Sequence, residues 1–235
     1  MAHRVSADVD LFHDTAEALG ATWESDRRML LAAGYEVAIE VERPSFIRAT
    51  VRQGAAAATL DWAQDSAYRF FPLVEHPDFG LTMHPFDLAT NKVLAAVGRL
   101  EVRDWVDLIE CDARLQPMGY LAWGAAGKDP GLTPKGIVEY AARIRYAAIE
   151  VEGLLWDGPA PDPGALSRRW KQMIAEAREV VSLLPCEEVG KAVLAADCEL
   201  FCGSRAELAQ ALTANQLRYH AGAVRGAFPT PRFAS

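Results

Sequence analysis

Several features that define common protein classes are scarce in this sequence. Its four cysteines, Cys111, Cys186, Cys198 and Cys202, form no Cys-x-x-Cys pair, and no histidines accompany them at zinc-finger spacing. We therefore expect reduced, buried thiols and no structural zinc site.

A targeting segment and a long apolar run are also missing. The first residues show no basic segment followed by an apolar one, and no apolar stretch reaches the length that spans a bilayer. We therefore expect a cytoplasmic protein without membrane contact.

Basic charge is in the minority, with 24 Lys and Arg against 32 Asp and Glu and a net charge of −8. Coating of nucleic acid through bulk charge needs clustered basic side chains, so the net charge argues against that class of protein. A local basic path that contacts RNA remains possible. Its candidates, each of which also fits a solvated helix face, are Arg27, Arg28, Arg143, Arg145, Arg168, Arg169 and Lys171.

The length and composition are those of an ordinary globular protein. The 235 residues are 51% hydrophobic and 24% charged, enough to bury a sizeable core in one large domain or two small ones.

Short β-rich runs and one helix fill the first third of the chain. A strand at residues 8–12 precedes a helix that ends near Gly34 and has Asp14 or Thr15 as its N-cap. The breaks between the next runs are short, which favours antiparallel neighbours and predicts a meander after a βα unit. These three runs lie at residues 35–41, 46–52 and 57–63.

Helical patterns dominate beyond residue 84. His84 and Pro85 mark a helix start, and apolar residues continue at helical spacing through most of the remaining chain. We therefore predict an α+β fold. It consists of a small mixed-sheet core at residues 1–83, a helical bundle at residues 84–227 and a loose tail at residues 228–235.

Two acidic side chains share one face of the first predicted strand. The period of two places Asp8, Asp10 and Phe12 on one side, and Val9 and Leu11 on the other. Crowded carboxylates repel each other unless a cation or hydrogen-bond donors compensate, and oxygen ligands suit Mg²⁺ or Mn²⁺. A solvated edge strand is the alternative interpretation.

A third acid, Asp61, lies on the last strand of the meander. If that strand lies next to the first, Asp61 can share the face of Asp8 and Asp10. Three carboxylates on adjacent strands would form a site for one or two Mg²⁺ ions, as phosphoryl or nucleotidyl transfer requires. A turn residue at the end of a strand is the alternative for Asp61.

Three segments together resemble a known family. HRVSADVDLF, TLDWA and HPFDLATNKVLAAVGRLEVRDWVDLIECD are similar to the AbiEii/AbiGii-type nucleotidyltransferase toxins of the DNA polymerase β superfamily, found in type IV toxin–antitoxin loci. The resemblance covers most of residues 3–115. The HP-x-DLA-x-NK and RD-x-x-DL blocks are its most specific parts.

The resemblance implies a set of catalytic acids. Asp8, Asp10 and Asp61 match the ligands of Mg²⁺ or Mn²⁺, and Asp61 could also help to activate an acceptor hydroxyl. Asp107 matches a functional acid of the second helix. Asp104 is its close competitor, and spacing does not separate the two.

The resemblance also implies a nucleotide site. Arg4, Ser6 and Lys92 match positions at the nucleoside triphosphate, where the catalytic Lys92 would offset charge that builds up on the leaving pyrophosphate. The implied reaction transfers a nucleoside monophosphate to an RNA acceptor, with the 3′ end of tRNA expected. A cognate antitoxin is the implied protein partner.

One element of the family pattern is missing. The residues before Ser6 contain no glycine, whereas the family has a Gly-rich phosphate turn there. We expect the true start to lie further upstream. The alternative is a catalytically degenerate fold that binds RNA or an antitoxin. A haloacid-dehalogenase-type phosphatase is disfavoured, because AHRVSA is too short and polar to be its buried strand.

Overall fold

The computed structural model describes residues 3–6 and 8–232 and divides the chain into two compact units. The sheet unit is Val5–Ala67. The helical unit consists of the residues up to Arg4 together with the chain from Tyr68 onward. Among the described residues, a helix with the length and apolarity needed to cross a membrane is absent.

The sheet unit contains one helix and a four-stranded sheet in the order β1-β4-β3-β2. Strand β1 pairs with β4 in parallel, and the other neighbours pair antiparallel. The strand, the helix and the meander predicted from the sequence are confirmed. Their bounds are β1 Asp8–His13, α1 Ala16–Ala32, β2 Glu36–Arg43, β3 Phe46–Gln53 and β4 Ala56–Gln64.

Local signals fix the ends of α1. The hydroxyl of Thr15 accepts a hydrogen bond from the backbone N–H of Ala18 at 3.1 Å, which is a side-chain N-cap. After the last turn, Gly34 has a φ of +83°, a conformation that residues with a Cβ rarely adopt. These two residues explain why the helix begins and ends where it does.

One face of the sheet packs under α1. Leu19 and Trp23 of the helix are buried against Ile47 and Trp62 of the strands, and the two tryptophan rings meet edge to face at 4.7 Å. The indole N–H of Trp62 donates to the carboxylate of Asp26 at 2.8 Å, which satisfies the buried donor. The opposite face of the sheet is therefore the one that carries polar side chains.

The helical unit contains most of the helices and several short strands. Strands β5 and β10, β6 and β7, and β8 and β9 form two-stranded sheets. The helices are α2 Pro85–Gly98, α3 Val102–Arg114, α4 Met118–Ala125, α5 Pro134–Ala141, α6 Ala148–Glu152, α7 Pro163–Leu183 and α8 Arg205–Thr213. The strands are β5 Tyr68–Arg69, β6 Val74–His76, β7 Gly80–Thr82, β8 Lys191–Ala195, β9 Leu217–Ala221 and β10 Ala223–Val224.

A buried carboxylate explains why the helical unit begins at Tyr68, earlier than the boundary at residue 83 expected from the sequence. Asp87, in the first turn of α2, accepts hydrogen bonds from the backbone N–H groups of Phe70 and Phe71 at 2.9 and 3.0 Å. Lys128 pairs with the same carboxylate at 2.9 Å. These contacts attach the segment after Tyr68 to the helices.

Strands β8 and β9 lie in the region that the sequence pattern assigned to helices. Lys191–Ala195 has the sequence KAVLA, and its middle three residues are buried. A short apolar run of this kind fits a helix or a buried strand equally well, because periodicity does not separate the two. Antiparallel pairing with Leu217–Ala221, a partner distant in the sequence, decides between them.

The loop before β8 approaches another loop closely at two glycines. A Cβ on Gly127 would lie 2.1 Å from the carbonyl oxygen of Gly190, and Gly190 itself has a φ of +80°. Its N–H donates to the carbonyl of Trp123 at 3.1 Å. The backbones can meet here because neither residue has a side chain.

The segment predicted as a loose tail is bonded to the helical unit over its described part. The buried carbonyl of Pro231 accepts from the His84 ring at 3.2 Å, and the N–H of Arg232 donates to Glu199 at 2.7 Å. Residues 233–235 of the predicted tail lie outside the described residues.

The prediction of buried thiols is wrong for two of the four cysteines, and the other two are half-buried. Cys186 and Cys202 are exposed, and Cys111 and Cys198 are partly exposed. Cys186 begins a short 3₁₀ turn and Cys202 lies in the loop after β8, so both belong to connecting segments at the surface.

Candidate active site

The face of the sheet opposite α1 carries the three predicted metal ligands, and we call it the acidic face. Strands β1 and β4 are parallel neighbours, and Asp10 stands directly opposite Asp61 in their register. Asp8 lies two residues earlier on β1, opposite Thr59. Because side chains alternate along a strand, all three carboxylates lie on one side of the sheet.

The three acids differ in exposure. Asp10 is exposed, Asp8 is half-buried, and Asp61 is buried with 4% of its surface accessible. The hydroxyl of Ser6 donates to one oxygen of Asp8 at 2.6 Å. The acidic face therefore contains two accessible carboxylates on the edge strand and one buried carboxylate on the next strand.

Arg48 contacts the buried acid from the other side. Strand β3 places Arg48 opposite Asp61, and the guanidinium donates to both carboxylate oxygens, at 2.7 and 2.5 Å. This hydrogen bond raises the pKa of Arg48 above its ordinary value and outweighs the opposing effect of burial; the charges of Asp61, Glu40 and Asp8 add to it. The order across the sheet is therefore Asp10, Asp61, Arg48.

The donor set of the acidic face has the chemistry that a hard divalent cation prefers, since its donors are carboxylate oxygens. However, among the described residues no group of three or more His, Cys, Asp or Glu side chains is arranged to hold a metal ion. Asp8 and Asp10 supply oxygens that such a cation can reach from solvent. Both oxygens of Asp61 are bonded to Arg48, so a cation at Asp61 competes with the positive charge of that guanidinium.

In the helical unit, Lys92 lies at the centre of a network of charges. Its ammonium contacts Asp104 at 3.1 Å and Asp107 at 2.9 Å. Arg99 donates to both oxygens of Asp104, at 2.7 and 2.9 Å, and Arg4 donates to both oxygens of Asp107, at 2.6 and 2.9 Å. We call these five residues the Lys92 network.

The two competing acids of α3 differ in accessibility. The side chain of Asp104 is fully buried, whereas 17% of the Asp107 side chain is exposed. Burial tends to raise the pKa of Asp104, but hydrogen bonds from Arg99 and the charges of Lys92 and Arg99 outweigh it and lower the pKa. Asp104 is thus a charged group within the protein, and Asp107 is the acid that a ligand can reach.

A cavity of about 600 Å³ lies beside the Lys92 network within the helical unit. Lys92 and Asp107 line it, together with apolar side chains from α2, α3 and the loop after β8. Burial raises the pKa of Cys111, another lining residue, to about 12, so its thiol is protonated at neutral pH and is a poor nucleophile. The remaining lining residues are Pro85, Leu88, Ala89, Glu110, Arg114, Leu115, Glu199, Leu200, Cys202 and Arg232.

The predicted site residues thus form two sets, one in each unit. Asp8, Asp10, Asp61 and Ser6 belong to the sheet unit, and Arg4, Lys92 and Asp107 belong to the helical unit. Arg4 is bonded to Asp107 in the structure, whereas the resemblance had matched it to a nucleotide position.

Sequence reasoning missed Arg48 and Arg99. A signal for Arg48 was present: a two-residue turn at Gly54 and Ala55 fixes the hairpin register, and counting outward from it pairs Arg48 with Asp61. Arg99 had no such signal. It follows the last residue of α2, and its contact with Asp104 depends on how α2 and α3 turn.

The basic groups considered for RNA contact are partly neutralised by their own neighbours. Arg168 pairs with Asp162 at 3.3 Å, and Arg169 pairs with Asp112. Arg145 donates to the carbonyls of Ala142 and Ile144. The ion pairs of Arg168 and Arg169 leave less positive charge for a phosphate backbone, whereas the carbonyl bonds of Arg145 only fix its position.

Comparison with known proteins gives one structural likeness. No protein-family model matches the chain, and no curated protein matches it in sequence. The structure is similar to that of MenT4, a nucleotidyltransferase toxin from Mycobacterium tuberculosis H37Rv, with a TM-score of 0.49 and 18% identity over 78% of this chain and 70% of that one. A likeness of this size assigns no activity to the chain.

Proposed function

We propose that the chain is a divalent-cation-dependent nucleotidyltransferase of the toxin type. Its substrates are a nucleoside triphosphate and an RNA, with the 3′ end of tRNA as the expected acceptor. The observation that carries the proposal is the acidic face: Asp8 and Asp10 on β1 lie on the same side of the sheet as Asp61, which is in register with Asp10.

An accidental acidic strand explains this arrangement less well. Asp61 is buried on an interior strand and paired with Arg48, and it stands beside a second carboxylate, Asp10, which adds a repulsive charge next to the pair. If Asp8 and Asp10 were only solvated residues of an edge strand, a buried carboxylate next to them on β4 would have no purpose. Cation chemistry gives a reason for keeping both carboxylates in register.

Asp8 and Asp10, joined by Asp61, would hold Mg²⁺ or Mn²⁺. When bound, the cation neutralises charge on the triphosphate and stabilises the attacking and leaving oxygens. Ser6 donates to one oxygen of Asp8, and this hydrogen bond orients the carboxylate.

The transfer step is an in-line displacement at the α-phosphorus. A hydroxyl of the acceptor forms the new P–O bond, and the bond from the α-phosphorus to the bridging oxygen of the β-phosphate breaks. Pyrophosphate leaves with that electron pair. The hydroxyl proton passes to a carboxylate of the acidic face.

Lys92 and Asp107 supply the second part of the proposal. An ammonium has three N–H donors, and the contacts with Asp104 and Asp107 use two of them, which leaves one for a phosphate oxygen. Asp107 and Lys92 both line the cavity of the helical unit. We assign Lys92 to phosphate binding and Asp107 to holding its ammonium in place.

The test is transfer of label from each α-labelled nucleoside triphosphate to total bacterial RNA in the presence of Mg²⁺. We expect one nucleotide to label RNA with the wild-type chain, and we expect Asp8→Ala to lose at least about 100-fold in rate, as loss of a group that stabilises transition-state charge does. Label of equal intensity from Asp8→Ala would overturn the metal-site assignment.

A matched control keeps this test specific. Glu36 lies on β2, at the far edge of the same sheet, and its exposed carboxylate shares the acidic face through its pairing with Arg52. We expect Glu36→Gln to transfer label at the wild-type rate. A loss in both variants would indicate a general effect of charge on the sheet.

A second candidate function is a binding module that transfers nothing. The observation that favours it is the occupation of both Asp61 oxygens by Arg48, because a degenerate site no longer needs the third ligand. Such a module binds RNA or an antitoxin with equal affinity in the wild type and in Asp8→Ala. RNA binding without label from any nucleotide would favour it over the enzyme.

A further inference from the structure

Asp61 is flanked by a carboxylate on one side and a guanidinium on the other. Its neighbour on β1 is Asp10 and its neighbour on β3 is Arg48, each directly opposite in the register. The side chain of Asp61 is 5% exposed, whereas that of Arg48 is 38% exposed. The carboxylate of Asp61 is therefore buried, whereas the guanidinium of Arg48 is partly accessible to solvent.

The pair has the geometry of a strong interaction. Two parallel N–H to oxygen bonds join a guanidinium to a carboxylate, an arrangement about twice as strong per bond as neutral hydrogen bonds. It also uses one lone pair of each Asp61 oxygen. A cation that takes Asp61 as a ligand therefore has to share the carboxylate with a positively charged group, which repels it.

Other acids keep the guanidinium where it is. The charges of Glu40 and Asp8 act on Arg48 in addition to that of Asp61. Glu40 lies where the register of β2 and β3 shifts, and it accepts a hydrogen bond from Thr50, the residue two positions after Arg48 on the same face. Arg48 is thus held over the acidic face by more than one negative group.

We propose that Arg48 is a built-in competitor for the divalent cation at Asp61. The guanidinium neutralises Asp61 in the absence of the cation and lowers the affinity of the acidic face for it. This inference rests on the cation site of the proposed function. It adds that Asp61 contributes less to cation binding while Arg48 is paired with it.

The test is direct binding of Mn²⁺ to the full chain, measured by electron paramagnetic resonance of the free ion. We expect Arg48→Gln to bind Mn²⁺ about tenfold more tightly than the wild type, since it removes a positive charge bonded to one of the ion's proposed ligands. This readout needs neither a nucleotide nor transfer activity.

Arg52→Gln is the matched control. Arg52 lies four residues further along β3 on the same face, opposite Ala57 on β4, so its substitution removes the same charge away from Asp61. We expect its Mn²⁺ affinity to stay within about twofold of the wild type, because a displaced surface charge is screened by salt. An equal gain in both variants would mean that net charge alone is responsible, and the proposal would fail.

A double-mutant cycle with Asp61→Asn separates competition from other effects. In the wild type, Asp61 is engaged by Arg48, so its removal changes Mn²⁺ affinity little. In the Arg48→Gln background, the same change should cancel the tenfold gain, a non-additivity that only coupling between the two residues produces. Additive effects would overturn the proposal.

Arg48→Lys covers the case in which Arg48→Gln does not fold. It keeps the charge but loses the two-bond geometry, and we expect an intermediate gain in affinity. Asp8→Asn removes a proposed ligand, so it tests the cation site of the proposed function separately from the role of Arg48. Binding that depends on Asp8 but not on Arg48 would refute the competitor and leave the proposed function standing, whereas absence of Asp8-dependent binding in every variant would refute both.

Discussion

At the scale of single residues, Asp104 and Asp107 differ in exposure although they stand three positions apart on one helix. Asp104 is enclosed between Arg99 and Lys92, and Asp107 is partly exposed at the cavity. Both acids have two basic partners, Arg99 and Lys92 for Asp104 and Arg4 and Lys92 for Asp107. Only Asp107 is accessible from the cavity, so we propose it as the functional acid of α3.

We expect Asp104→Asn to destabilise the helical unit by about 2 kcal/mol, because it leaves Arg99 and Lys92 facing a group that no longer neutralises them. The value is below that of a fully buried pair because Arg99 and Lys92 are partly exposed. Urea unfolding at neutral pH measures the difference. As the control, Glu101→Gln removes an exposed partner of Arg99 and should cost less than about 0.5 kcal/mol.

The pH dependence of this difference has a definite sign. The native pKa of Asp104 is below its ordinary value of 3.8, so its contribution is fully present above that value. It is lost as the pH falls through the lowered native pKa, where the wild type becomes neutral as well. A difference between wild type and Asp104→Asn that grows with acid would contradict this account.

At the scale of elements, the start of α2 depends on a buried histidine. One ring nitrogen of His84 accepts from the N–H of Phe86 at 3.2 Å, and the other donates to the carbonyl of Pro231 at 3.2 Å. Both bonds are made by the neutral ring, with its proton on Nε2. Protonation of the accepting nitrogen would break the cap.

We expect the stability of the helical unit to fall as the pH decreases below the ordinary histidine value of 6.5. Burial lowers the pKa of His84, although the carbonyl of Pro231 and the charges of Asp87 and Glu199 act in the opposite direction. The unfolded chain therefore binds the proton first, and stability rises with pH from the lowered native pKa up to 6.5. Urea unfolding across this range measures the slope.

The variant that checks this assignment is His84→Asn, since asparagine is a good N-cap that does not titrate. Its unfolding free energy should depend less on pH than that of the wild type between the native pKa and 6.5. An identical slope in the two proteins would show that another group is responsible.

At the scale of the whole molecule, the excess of acid constrains how the chain binds its proposed RNA substrate. The net charge is −8, and arginines such as Arg168 and Arg169 are paired with acids of the same chain. Two of the basic groups that could neutralise phosphates are therefore already paired. We expect recognition to come from a small number of contacts around the reacting end of the RNA.

We expect the affinity for tRNA to depend only weakly on salt, with a logarithmic slope no steeper than about −2, corresponding to about three phosphate contacts. Filter binding of labelled tRNA at several salt concentrations measures this slope. A slope several times steeper would reveal a basic path along the RNA and would contradict the assignment of these arginines to internal ion pairs.

The sequence by itself determined the local structure of the sheet unit and the start of α2. Thr15 and His84 cap helices through contacts within three residues, and alternation along β1 places Asp8 and Asp10 on one face in any sheet. These features depend on neighbours in the chain, so short-range chemistry is sufficient to predict them.

Only the tertiary structure decided the rest. It made β4 the parallel neighbour of β1, gave Asp61 a guanidinium partner, and buried Asp104 while leaving Asp107 accessible. The physical reason is that strand order and burial depend on segments distant in the sequence, whose packing outweighs local preference. The residue pattern identifies the carboxylates, but only the fold shows that one of them, Asp61, is buried and paired with an arginine.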